Sequence, residues 1–167
     1  MVVLDASTLI LIAKTELLGS FLNIAGRNVA IPVEVEKECC AIKKSLDALI
    51  IQKALRESRI TVIAVKNRKL ITRLEADFGL GKGEAEAIAL ALAEKAEILG
   101  IDDKNGINAC KLLGVAFTTA IGILVRMREK RLLTTNESLV KLEGLAKHGR
   151  YERSILEDAR RKLETAT

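Results

Sequence analysis

The sequence predicts a three-layer α/β/α sandwich: a central, mostly parallel sheet of four or five strands with a helical C-terminal extension. Three observations predict it. Short runs rich in Val and Ile recur at residues 2–4, 28–31, 97–101 and 114–118. Helical stretches separate these runs, and a strand–helix–strand order needs the crossover connections that build parallel sheets covered on both faces. After Phe117 the chain reads as helix alone.

"VVL" at 2–4 is the first strand, and "STLILIAK" after it is a helix with Ser7 as its expected N-cap. "NVAI" at 28–31 is the second strand. "PVEVEKECCAIKK" then starts a helix on the only proline, Pro32, a residue suited to a first helical turn. "ITVIAV" at 60–65 is a further strand, expected at an edge. The glycines of "GLGKGE" at 79–84 shape the start of the helix "GEAEAIALALAEK", whose alanines and leucines predict burial on most sides. This loop lacks the GxxxxGK[ST] spacing of a phosphate-binding loop and follows the helical "RLEADF" rather than a strand. "EILGI" at 97–101 and "GVAFT" at 114–118 complete the sheet. Three helices follow: residues 120–131, then "NESLVKLEGLAKHG" capped by Asn136, then "ERSILEDARRKLE". Leu139, Leu142 and Leu145 stripe the middle one and are expected to pack inside the molecule.

With 167 residues and no linker or repeat, the expectation is one domain over 1–167, with 120–167 packed on it or at an interface. A content of 49% hydrophobic and 29% charged residues excludes disordered and membrane classes. No run reaches the roughly 18 apolar residues of a spanning helix. "MVVLDASTLI" lacks the basic region of a signal peptide, so the expected location is cytoplasmic. Cys39, Cys40 and Cys110 are odd in number and lack a CxxC spacing, which predicts buried thiols rather than a disulfide framework or a zinc site. The net charge of +5 permits a polyanionic partner without requiring one.

In a parallel sheet every strand delivers its C-terminal end to one edge, where ligands bind. Asp5 follows "VVL" and Asp102 follows "EILGI", so two acids reach the same rim. Repelling carboxylates are tolerable there if a divalent cation lies between them. Glu84 stands in a first helical turn, where the dipole favours an ionised carboxylate. Glu86 lies about 200° further around the helix, so the two cannot face one cation. Spacing leans to Glu84, with Glu86 as the alternative. Glu34, Glu36 and Glu38 alternate around their helix, and periodicity singles out none.

Hard oxygen ligands without histidine suit Mg²⁺ or Mn²⁺, and the consequent chemistry is phosphoryl transfer or phosphodiester hydrolysis. The lone His148 reads as a helix C-terminal residue. Lys82, Lys104, Arg126 and Arg128 are the candidate phosphate contacts. Tyr151 and three Phe leave little for base stacking, so backbone contacts should dominate. The rival reading is a binding module of the same fold with weak or no catalysis. A receiver-type pocket ranks below both, because it needs paired acids after the first strand, where only Asp5 stands.

"VVLDAST", "IPVEVEKEC", "LGKGEAEAIALALA" and "ILGIDDKNG" occur in the order and approximate spacing of PIN-domain proteins, and the chain resembles that family. The family is the nuclease fold that includes VapC-type toxins. The nearest resemblance is to a prokaryotic branch with a GE-x-EAI-x-LA helix and a strand ending in two aspartates. It runs from Met1 to about Leu124, and "KHGRYERSILEDARRKL" is similar to the branch's C-terminal helices.

The resemblance implies a ribonuclease whose acidic pocket holds one or two Mg²⁺ or Mn²⁺ ions. Its catalytic acids map to Asp5, Glu38, Glu84 and Asp102, with Asp5, Glu84 and Asp102 on the metal. Glu38 matches an acid placed ahead of an apolar residue, and Glu84 stands 18 residues before Asp102, a similar separation to the family's. Ser7 matches a hydroxyl residue after the first acid, and Ser7, Asp103 and Glu86 are auxiliary. Two positions depart: Gly100 stands where many members have Thr, and Ile107 where the branch often has a basic residue. RNA, an antitoxin protein and a second copy of the chain are the partners implied.

Overall fold

The computed structural model describes residues 1–26, 28–40 and 45–166. Its five strands are β1 (Val2–Leu4), β2 (Val29–Pro32), β3 (Thr61–Ile63), β4 (Ile98–Gly100) and β5 (Phe117–Thr118). They form one parallel sheet in the order β3-β2-β1-β4-β5. Val2 is in register with Val29 on one side and Ile98 on the other, so β1 is central. The chain builds outward from β1 through β2 to β3, then crosses back to β4 on the opposite flank. The order therefore reverses between β1 and β4, and in open parallel sheets ligands bind at that point, beyond the strand C-termini.

Among the described residues the helices are α1 (Ala6–Lys14), α2 (Leu18–Ala25), α3 (Val33–Cys40), α4 (Leu46–Arg56), α5 (Arg68–Phe78), α6 (Lys82–Ala93), α7 (Lys104–Leu113), α8 (Ala120–Glu129), α9 (Thr135–His148) and α10 (Arg153–Thr165). Successive strand residues point to opposite faces, which divides the core in two. Leu4, Val29 and Ile31 join an apolar cluster with α1–α4 and α8–α10. Val3, Ala30 and Leu99 join a second cluster with α5–α7. The result is the expected three-layer sandwich, with the "ITVIAV" run supplying the edge strand β3. Leu142 and Leu145 are buried and Leu139 is partly buried against α1, α8 and α10, so the leucine stripe packs within the molecule. No single helix among the described residues is long and apolar enough to cross a membrane, and the apolar α1–α2 pair is bent by 117°.

Local details differ from the sequence reading for identifiable reasons. Asp5, not Ser7, caps α1: the Thr8 N–H donates to Asp5 Oδ1 at 2.8 Å. Thr134 replaces Asn136 as the cap of α9, because Thr134 and Glu137 close a reciprocal capping box. Pro32 ends β2 opposite Ile63 instead of opening α3. The register of β2 with β1 stops at Ala30, so the donor that proline lacks is not needed on that side. Only Phe117 and Thr118 of "GVAFT" pair, since Gly114 adopts a left-handed conformation (φ 69°) to end α7. The expected continuation of α3 through 41–44 lies outside the described residues.

Candidate active site

β1 and β4 end side by side, and the Asp5 N–H donates to the Gly100 carbonyl at 2.9 Å. Asp5 and Asp102 therefore emerge together at the point where the strand order reverses. Asp5 is fully buried. Its Oδ1 accepts from the Thr8 N–H and its Oδ2 from the Ser7 hydroxyl, at 2.8 and 2.6 Å. Thr8 also links the two acids, because its hydroxyl donates to Asp102 Oδ2 at 2.8 Å. Asp102 Oδ2 accepts a second bond from the Ala120 N–H, in the first turn of α8, at 2.9 Å. Asp102 Oδ1 accepts from the Tyr151 hydroxyl at 2.6 Å.

Burial pushes the Asp5 carboxyl up to about 7; the Asp102 charge adds to the rise, and the bonds from Ser7 and Thr8 oppose it. Burial also raises Asp102, against the bonds from Tyr151, Thr8 and Ala120. Both acids thus sit where a negative charge is poorly solvated, and a cation would relieve that strain.

The remaining acids form a second group at the N-terminus of α6. Glu84 reaches back to accept from the Gly81 N–H at 2.9 Å, which satisfies an orphan donor of the helix. Glu38 Oε1 accepts from the Gly83 N–H at 3.2 Å. Gly83 leaves room for that approach, since a Cβ there would overlap the Glu38 carboxylate. Asp103 caps α7 through the Asn105 and Gly106 N–H groups. Burial raises the Glu84 carboxyl, and the nearby charges of Asp103 and Glu38 raise it further. A cavity of about 450 Å³ is lined by Ser7, Glu84, Asp102 and Asp103 together with Lys14, Lys104, Arg150 and Tyr151, while Asp5 and Glu38 lie outside its lining.

The expected set Asp5, Glu84 and Asp102 does not converge on one point. Among the described residues no three His, Cys, Asp or Glu side chains are grouped so as to hold a metal ion. The physical reason is visible in the bonds above: like charges separate, and each carboxylate turns to the nearest protein donor. Glu86 does not line the cavity. It is buried, pairs with Arg68 at 3.1 Å and accepts from the Glu34 N–H at 3.2 Å. Lys82 pairs with Glu34 at 3.1 Å, outside the cavity lining. Arg126 and Arg128 occupy the last turn of α8, whereas it is the first turn that meets Asp102. They bond to Glu129, and to Thr135 and the Ala166 carbonyl. Of the four expected phosphate contacts, Lys104 alone lines the cavity.

A family model described as a PIN domain matches residues 1–165. The chain belongs to the PIN-domain family. No curated protein and no solved structure gives a significant match. The PIN domain is a nuclease-type fold, and PIN domains typically use divalent metals. In this PIN domain Gly100 has a structural explanation. A Cβ there would come within 2.5 Å of Leu4 Cδ2 and 3.1 Å of Thr8 Cγ2. Thr8 fills the space with its methyl group, and its hydroxyl donates to Asp102 from α1.

The donor chemistry of this PIN domain fits a hard cation. All the acids offer oxygen, and Mg²⁺ binds through one or two carboxylates while keeping several waters. Asp5 has one accepted bond on each oxygen, and Asp102 has three in all, of about four lone-pair sites on a carboxylate. Each therefore retains acceptor capacity. Sequence reasoning missed Thr8, Tyr151, Lys14 and Arg150 at this site. The lone tyrosine in the polar turn "HGRY" was the one available signal for them.

Proposed function

We propose that this PIN domain is a ribonuclease that hydrolyses RNA phosphodiesters with Mg²⁺ or Mn²⁺ held by Asp5 and Asp102, acting in the cytoplasm. The observation that carries the reading is the junction of β1 and β4, where Asp5 and Asp102 meet through Thr8 with both carboxyls raised. A cation held there would supply the activation of a water and the stabilisation of a leaving oxygen. Ser7 and Thr8 hold the Asp5 carboxylate in place, while the α8 N-terminus and Tyr151 orient Asp102. Glu84, Asp103 and Glu38 extend the acidic surface for a second ion or for proton transfer. Lys14, Lys104 and Arg150 on the cavity wall offer positive charge to the backbone phosphates.

The test is cleavage of single-stranded RNA by the purified protein with Mn²⁺ or Mg²⁺. Expected are cleavage, a metal-dependent rise in melting temperature, and loss of cleavage in Asp5→Asn with the fold retained. Varied RNAs left intact, together with a melting temperature indifferent to metal, would sink the reading. The alternative then preferred is a PIN-like scaffold, and one observation favours it: protein donors already meet three acceptor sites of Asp102. A toxin role, with an antitoxin protein and a second copy as partners, extends the nuclease reading. It is tested by growth arrest on expression, which Asp5→Asn should abolish.

A further inference from the structure

The turn between α9 and α10 carries a contact that its sequence position does not suggest. The Tyr151 hydroxyl donates to Asp102 Oδ1 at 2.6 Å across 49 residues of chain. The ring is half-buried and packs on the apolar cluster shared by α1, α8 and α9. Gly149 independently shows a seat built for it. Its backbone is extended (φ −97°, ψ 174°), which any residue can adopt, so glycine is required there for space. A Cβ on Gly149 would overlap the Tyr151 ring and approach the Leu145 carbonyl at 3.1 Å.

We propose that Tyr151, seated by Gly149, is a positioning residue that fixes the Asp102 carboxylate, so that the α9–α10 turn forms part of the acidic pocket. Of the two oxygens, Oδ2 is held by Thr8 and Ala120, while Tyr151 donates to Oδ1 and sets the rotation of the group. Groups that orient a ligand in this way govern metal affinity and activity by about 10- to 100-fold. The role in catalysis rests on the nuclease reading above, but the contact itself does not.

Tyr151 is the only tyrosine and the chain has no tryptophan, so its fluorescence reports on the contact without interference. In the metal-free protein, Asp102→Asn is expected to change the tyrosine emission, because the hydroxyl loses a charged acceptor. Tyr151→Phe, which keeps the ring, is expected to weaken Mn²⁺ binding by about 10- to 100-fold in calorimetry. It should lower kcat with KM for RNA nearly unchanged. Gly149→Ala, which displaces the ring, should shift both quantities in the same direction. Wild-type Mn²⁺ affinity and kcat in Tyr151→Phe, with only a lower melting temperature, would overturn the proposal. If the wild type neither binds Mn²⁺ nor cleaves RNA, the nuclease reading fails by itself. The fluorescence then decides: an altered emission in Asp102→Asn upholds the positioning contact, and an unaltered one overturns it.

Discussion

Asp5 is where burial and charge conflict most sharply. Its carboxyl ionises near 3.8 in the unfolded chain but only at about 7 when folded. Between those values the native state keeps a proton that the unfolded state has shed, so stability falls as pH rises through the interval and stays reduced above it. In chelated protein, Asp5→Asn should therefore raise the melting temperature at pH 8, with the gain fading as pH is lowered to 4. A melting curve with no such crossover would mean that the carboxyl is solvated after all. Asparagine remains a good N-cap, so the comparison isolates the charge. Gly100 makes the complementary case. Restoring the family's threonine by Gly100→Thr should destabilise the protein by about 1–3 kcal/mol in urea titration, because Leu4 and Thr8 already fill the space. Sequence alone showed the departure at Gly100 but not its compensation by Thr8, since the two positions meet only when α1 docks beside β4.

α6 tests how far periodicity can assign a role. Glu84 and Glu86 are opposed around the helix as expected, and the structure gives them different surroundings. Glu84 opens on the cavity while Glu86 is buried against Arg68 and the Glu34 amide. Glu84→Gln is expected to lower RNA cleavage strongly with little change in stability. Glu86→Ala should destabilise by about 1–3 kcal/mol, since it removes a buried carboxylate that accepts from the Glu34 amide and pairs with Arg68, with kcat retained. Reversal of that pattern in paired activity and unfolding assays would exchange the assignments. The strands were legible because Val and Ile runs alternate with helices. Their ends were less so: Gly114 serves α7 rather than β5, and Pro32 serves β2 rather than α3. The "TTNE" stretch held a readable capping box at Thr134 and Glu137. Arg126 and Arg128 were misplaced because spacing fixes a helical face but not which end of the helix approaches the site.

Across the whole molecule, the cavity that holds Glu84, Asp102 and Asp103 is also lined by Lys14, Lys104 and Arg150, in a chain of net charge +5. RNA affinity should fall with salt, and removing Lys14, Lys104 or Arg150 one at a time should flatten the log–log slope by roughly 0.7 each. An unchanged slope would move the strand path elsewhere. The C-terminal helices share the core, with Ala159 and Leu163 buried against it. Leu163→Ala should accordingly cost about 2–5 kcal/mol in global unfolding, far from the acids though it is.

The contact between Tyr151 and Asp102 also sets an order of events during synthesis. The acids come from β1 and β4, and the hydroxyl that orients one of them arrives only with residue 151. A nascent chain that has not yet released residue 151 thus presents both acids while Asp102 still lacks the hydroxyl that orients it.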